Sequence, residues 1–324
     1  MLPLILVLGA VILCIGLFLF RPIPAIAPGS RPNPAGDYKE AERRISAIRD
    51  REVERIIPDA RLQFMTHGER TDQAIVFVHG YTNCSRQFVQ LGEMFYRRGY
   101  NVLIANLPRH GLPDRMNDVQ SGLTAEELAA YADETADIAQ GLGRRVTFAG
   151  ISCGGVVSAW AWANRADVSA AVLMAPAFGF RMIPWGLTIP ILNLFFLLPN
   201  MYGWWDAVKK NQGAPGHTYP RYSLRALRQI LRLAYAVRSR VKKEPPAGKE
   251  MIVVTNPSDR AVSNVMIERV LREWRQLGIP VARRQFEASW KLDHDFIEPA
   301  QPNQQNGRTY PLLLEWITGK NKYP

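Results

Sequence analysis

From residue 74 to residue 286 the chain keeps returning to one pattern: a short apolar run, a polar or glycine-containing turn, then helical periodicity. Strand-like runs lie at 74–78, 101–105, 145–149, 168–174, 251–255 and 281–286, the last of them charged. Helical patterns occupy 85–98, 124–140, 153–164, 264–277 and 310–318. A run such as Ala74-Ile75-Val76-Phe77-Val78 has no polar alternation, which suits a strand covered on both faces. Strands alternating with helices at this spacing predict an α/β architecture, a mostly parallel sheet with helices on both sides. Ligands in such sheets gather at the carboxyl ends of the strands. Thr124 with Glu127 three residues on predicts a capping box at the head of the second long helix. The chain of 324 residues is 47% apolar and 21% charged, ample for a large core and incompatible with a disordered polypeptide.

The first 60 residues stand outside this rhythm. Residues 2–20 carry no charge, and as a helix they would rise about 28 Å, close to a bilayer core of about 30 Å. They are expected to form a transmembrane anchor over 1–20. A cleaved secretory signal is the rival, with Ala25-Ile26-Ala27 as its cut site, but no basic residue precedes the apolar run. Arg21, Arg31, Lys39, Arg43 and Arg44 all follow it, so a single-pass membrane protein with its body on the cytoplasmic side is expected. Prolines 22, 24, 28, 32 and 34 predict a stiff extended spacer. Residues 37–57, dense in alternating charge, read as an exposed helix, which makes 21–60 a proline-rich spacer and charged helix ahead of a 61–320 body. Three cysteines, Cys14, Cys84 and Cys153, provide no disulfide framework and no zinc-ligand spacing.

The chemistry concentrates at Gly150-Ile151-Ser152-Cys153-Gly154. A strand runs directly into this G-x-S-x-G and a small-residue helix follows it, as a nucleophile elbow requires. With that context the sequence resembles the α/β-hydrolase superfamily, most closely its carboxylesterase, monoacylglycerol lipase and serine-aminopeptidase-like branch. The resemblance covers about residues 61–320. It implies an α/β-hydrolase fold with a helical cap and a chain order of nucleophile, acid, histidine. Of the five histidines only His217 and His294 follow Ser152. His217 precedes the next strand, whereas His294 follows the last one, so His294 is the expected base. The run 251–255 leads into Asn256-Pro257-Ser258-Asp259, making Asp259 the expected acid. Asp293 and Asp295 flank the base, but sequence neighbours rarely orient an imidazole. By the same resemblance the oxyanion donors are the backbone N–H groups of Cys153 and Tyr81. His79 and His110 are scaffold, although Arg109 stands where relatives often have glycine. The implied reaction is acyl transfer to Ser152 without metal or organic cofactor. The serine argues against the aspartate-dependent epoxide hydrolases and dehalogenases of this fold.

From 179 to 248 the strand rhythm stops, where relatives insert a cap. Its first half is apolar and aromatic, and Pro184, Pro190 and Pro199 interrupt it too often for a second span. Its second half, 223–241, is amphipathic. The interruption holds eleven basic and two acidic residues, so most of the chain's net charge of +11 lies there. Charge beside an apolar lid points to an acyl ester substrate and an anionic membrane surface, not to nucleic acid. The expected activity is that of a membrane-anchored serine ester hydrolase. Thioesterase and peptidase chemistry on the same three residues, or a non-catalytic binding protein on the scaffold, are the alternatives; the oligomeric state is not legible.

Overall fold

A computed structural model describes residues 2–26, 31–208, 210 and 214–319. Its centre is a seven-stranded sheet of β1 (Gln63–Met65), β2 (Thr71–Val78), β3 (Tyr100–Ile104), β4 (Gly143–Ile151), β5 (Ala170–Met174), β8 (Glu250–Thr255) and β9 (Ala282–Gln285). The spatial order is β1-β3-β2-β4-β5-β8-β9. Only β1 runs antiparallel to its neighbour. The central strands are buried on both faces, as their uninterrupted apolar runs require. β9 is the exception: Ala282, Arg283, Arg284 and Gln285 are all exposed on the sheet's outer edge, where charge discourages further pairing.

Helices α3 (Val89–Tyr96), α4 (Ala125–Leu142), α5 (Cys153–Asn164), α8 (Asn264–Gln276) and α9 (Asn306–Thr318) cover the sheet. The capping box forms as expected. Glu127 N donates to Thr124 Oγ1 at 3.1 Å and Thr124 N to Glu127 Oε2 at 2.9 Å. Trp162 and Trp274 are fully buried between α5 and α8, their rings 5.4 Å apart.

The N-terminal segment departs from expectation. Helix α1 spans Leu2–Leu19. Among the described residues no helix is long and apolar enough to cross a membrane, so the transmembrane helix and the single-pass membrane placement, with its cytoplasmic body, do not stand. The end of α1 is tied to the protein. Asn193 Nδ2 donates to the carbonyls of Leu19 and Arg21 at 2.8 and 2.9 Å. Arg21 in turn donates to Asn193 Oδ1 and lies over the Phe196 ring. Further on, Ile23 is buried against Leu192 and Leu231, and Arg232 donates to the carbonyls of Pro24 and Ala25. This stretch is therefore a strap across the cap and not a free spacer.

The charged segment forms α2 (Tyr38–Glu52), capped by Asp37 and braced by a Glu40–Arg44 pair. It is not exposed all round. Ala41 and Ile45 are buried, and α2 packs on α4 so closely that a Cβ on Gly141 would stand 2.3 Å from the Asp37 carbonyl oxygen.

The interruption is a cap built from α6 (Thr188–Leu197), the hairpin β6 (Tyr202–Trp204) with β7 (Arg221–Ser223), and α7 (Leu224–Lys243). Two sides of α7 are buried. Ala226, Ile230, Leu233 and Val237 join the main core, while Leu231 packs with Leu192 and Ile23.

Candidate active site

Ser152 sits between β4 and α5 with φ 56° and ψ −113°, a strained conformation for a residue with a side chain. Its backbone is fully engaged. Ser152 N donates to Met174 O at 2.9 Å, and its carbonyl accepts from Val156 N and Ala177 N at 3.2 and 3.1 Å. Two glycines make the turn possible. A Cβ on Gly150 would lie 2.2 Å from Gly154 O, and one on Gly154 would lie 2.0 Å from Val78 O. Gly154→Ala therefore forces α5 away from β2. We expect it to destabilise the protein by about 3 kcal/mol, at the severe end of overpacking. Gly155→Ala, whose Cβ first meets Pro176 at 3.1 Å, should cost clearly less. Urea denaturation midpoints of the two variants test this ordering.

Asp259 and His294, the expected acid and base, lie side by side. His294 Nδ1 lies 2.7 Å from Asp259 Oδ2. Asp259 Oδ1 accepts from the backbone N–H of Ala261 and Val262 at 2.8 and 3.0 Å, which fixes the carboxylate in the turn after β8. Burial alone would push the Asp259 carboxyl up. The charge and hydrogen bond of His294, then the two N–H donors, outweigh it and hold the carboxyl below its usual range. Burial likewise pushes the His294 imidazole down, but Asp259 and, more weakly, Asp295 raise it above its ordinary value. Ser152, Asp259 and His294 all follow carboxyl ends of parallel strands, the edge where such sheets collect their chemistry.

The loop after β2 has a buried polar frame. His79 Nε2 accepts from Leu107 N at 2.9 Å, and Nδ1 donates to Gly80 O at 2.8 Å. Burial, then the neighbouring His110, hold its pKa far below the ordinary range, so it stays neutral and keeps both bonds. His110 accepts from Thr82 N, and burial pushes it down to about 4. Both are scaffold in this geometry. Arg109 takes the left-handed conformation, φ 68°. It is held there by three hydrogen bonds of 2.9–3.2 Å to the Glu127 carboxylate. Cys153 is fully buried and burial pushes its thiol far up, which keeps it protonated.

Several polar residues at the site escaped the sequence reading. Asn83 Nδ2 donates both to Asp295 Oδ2 at 3.1 Å and to Glu298 Oε2 at 3.0 Å. Gln87 accepts from Gly80 N and donates to Asp295 Oδ2. His217, set aside as a base, approaches Glu298 Oε2 at 3.0 Å through Nε2. The signal was present in His294-Asp295-Phe296-Ile297-Glu298, two carboxylates on the base's own loop, but their partners are remote in sequence. Asp293 Oδ2 accepts from Asn303 Nδ2 at 3.3 Å.

A parallel sheet with a serine elbow at one strand end, and a paired carboxylate and imidazole after two later strands, defines a hydrolase of the α/β class. The chain belongs to the α/β hydrolase family, whose model matches residues 75–301. No curated protein matches the sequence at a significant level. Solved structures with the same fold include a monoacylglycerol lipase of Paleococcus ferrophilus (16% identity, TM-score 0.59, 80% of this chain and 98% of that one). A metagenome-derived lipolytic enzyme of the LipS and LipT pair is similar over 82% of this chain and all of its own, at 19% identity and TM-score 0.57. A soluble variant of the monoglyceride lipase of Saccharomyces cerevisiae aligns at 12% identity and TM-score 0.57, over 81% and 92%. Identities this low establish a shared fold.

Proposed function

We propose that this hydrolase cleaves carboxylic esters, with acyl esters as the substrate class, through Ser152, His294 and Asp259. The observation that carries the reading is the 2.7 Å Asp259–His294 pair on the sheet edge that also bears the strained Ser152. In the proposed reaction Ser152 Oγ attacks the ester carbonyl carbon while His294 Nε2 takes its proton. Asp259 holds the other ring nitrogen protonated and balances the imidazolium. The tetrahedral oxyanion accepts from the Cys153 and Tyr81 backbone N–H groups, helped by the positive N-terminus of α5. Collapse breaks the C–O bond, and His294 returns the proton to the leaving alcohol. Water then attacks the acyl-enzyme, giving its proton to His294, and the carboxylic acid leaves as Ser152 is restored.

Apolar surface on the cap supports an acyl substrate. Leu194 and Leu197 on α6, with Trp185 and Leu187 just before it, are exposed. An anionic membrane surface draws less support than the charge count suggests. Arg221 pairs with Asp118, Arg232 with Glu126, Arg238 and Lys242 with Glu273, and Arg240 with Glu244. Charge committed to internal partners is a poor attractor, so the acyl ester alone is the partner proposed. A panel of p-nitrophenyl esters, S-acyl thioesters and peptide p-nitroanilides, with a fluorophosphonate probe, tests the reading. Covalent labelling and highest kcat/KM on esters are expected. Absence of labelling, or a higher kcat/KM on thioesters or anilides, would overturn it.

A further inference from the structure

The loop that carries the Tyr81 N–H is gripped from the cap. Thr82 has φ 71°, an unfavourable conformation for a β-branched residue, so something must hold it there. On the body side His110 Nε2 accepts from Thr82 N at 3.3 Å. Asn83 N also donates to Gly80 O at 3.1 Å, closing the turn around Tyr81 and Thr82 from the body side, and further contacts come from the cap. Trp205 Nε1 donates to Thr82 Oγ1 at 2.7 Å, and Tyr219 N donates to Thr82 O at 2.8 Å. Ser223 N donates to the Tyr81 hydroxyl at 3.1 Å. Behind the loop, His217 of the cap meets Glu298, which is fully buried. Asn83 then bridges Glu298 to Asp295, and Gln87 bridges Asp295 to Gly80 N. One polar chain thus joins the cap, the donor loop and the loop bearing His294.

We propose that the cap is a working part of the acyl-transfer site: Trp205, His217 and Tyr219 act as positioning residues that hold the donor loop in its strained form, so turnover requires a seated cap. This rests on the reading of Ser152 as nucleophile and the Tyr81 N–H as oxyanion donor. The strain gives the coupling its direction. Thr82 released from the cap relaxes towards ordinary φ, which rotates the Tyr81–Thr82 peptide and shifts Tyr81, the residue that carries the donor N–H, within the turn. A donor displaced in this way weakens transition-state stabilisation more than substrate binding. The cap therefore does more than shape a substrate cavity.

The test is steady-state hydrolysis of p-nitrophenyl butyrate by the full chain. Trp205→Phe keeps an aromatic ring where the indole packs 4.4 Å from the Tyr222 ring, but removes the N–H. We expect kcat to fall about tenfold with KM within twofold, and Glu298→Gln to behave alike. In a Thr82→Gly background both the acceptor and the strain are gone, since glycine adopts φ near +70° freely. There Trp205→Phe should lower kcat less than twofold, a coupling that general misfolding would not produce. A rise in KM at unchanged kcat, or an equal loss in both backgrounds, would overturn the proposal. Failure of the nucleophile reading is separately visible, because Ser152→Ala would then keep its activity.

Discussion

Replacing Ser152 by alanine is expected to lower kcat for p-nitrophenyl butyrate by about 10⁵–10⁶-fold while the protein still folds. Nucleophile and base act as a unit, so removing the hydroxyl removes the covalent route altogether and leaves only binding and oxyanion stabilisation. The elbow should survive the change. Its strained backbone is held by Met174 O, Val156 N and Ala177 N and by the close approach of Gly154 to Val78, none of which involves Ser152 Oγ. Alanine has the same Cβ in the same place. The neighbouring Cys153 cannot substitute, because its thiol is buried and protonated. Initial rates, fluorophosphonate labelling and a thermal melt check the expectation together. An alanine variant that melts like the parent and retains more than about one part in a hundred of its activity would place the nucleophile elsewhere.

What the residues announce locally, they announce well. The doubly buried strands, the Thr124–Glu127 box and the glycines of the elbow each depend on neighbours within a few positions. Chain order then narrowed base and acid to His294 and Asp259, which the fold does pair. What stays hidden in the sequence shares another cause. Residues 2–20 are apolar enough to suggest a span, yet Asn193, some 170 residues away, ties the end of their helix to the cap. The cap's arginines look like a free basic surface until their carboxylate partners, scattered over α4, α8 and the loop before α4, are brought beside them. Thr82 carries no warning of a positive φ, because most of the groups that hold it, His110, Trp205 and Tyr219, are remote in sequence. Periodicity reports which face of an element is buried; it does not report which distant group buries it.

Asp259→Asn is expected to lower the plateau kcat by about 10⁴-fold and to move the acid limb of the pH–rate profile to lower pH. The base works only when neutral, so kcat/KM rises as pH climbs through the His294 pKa. In the parent that value lies above the ordinary imidazole value of about 6.5, because the Asp259 charge outweighs the effect of burial. With asparagine the main raising influence is gone, Asp295 contributes only weakly, and burial pulls the imidazole down. The limb shifts accordingly. Stability responds with the opposite sense. His294, raised in the folded protein, contributes stability that is complete below about pH 6.5 and is lost as pH rises through its elevated value. Asp259, lowered in the folded protein, contributes stability present above about pH 4 and lost as pH falls through its depressed value. The pair therefore stabilises most between about pH 4 and 6.5, below the range where the base is most active. Melting temperatures measured across pH should show that maximum in the parent and lose it in Asp259→Asn. An asparagine variant with an unmoved acid limb would mean that Asp259 does not set the protonation of His294, and the assignment of Asp259 as the acid of this site would fail.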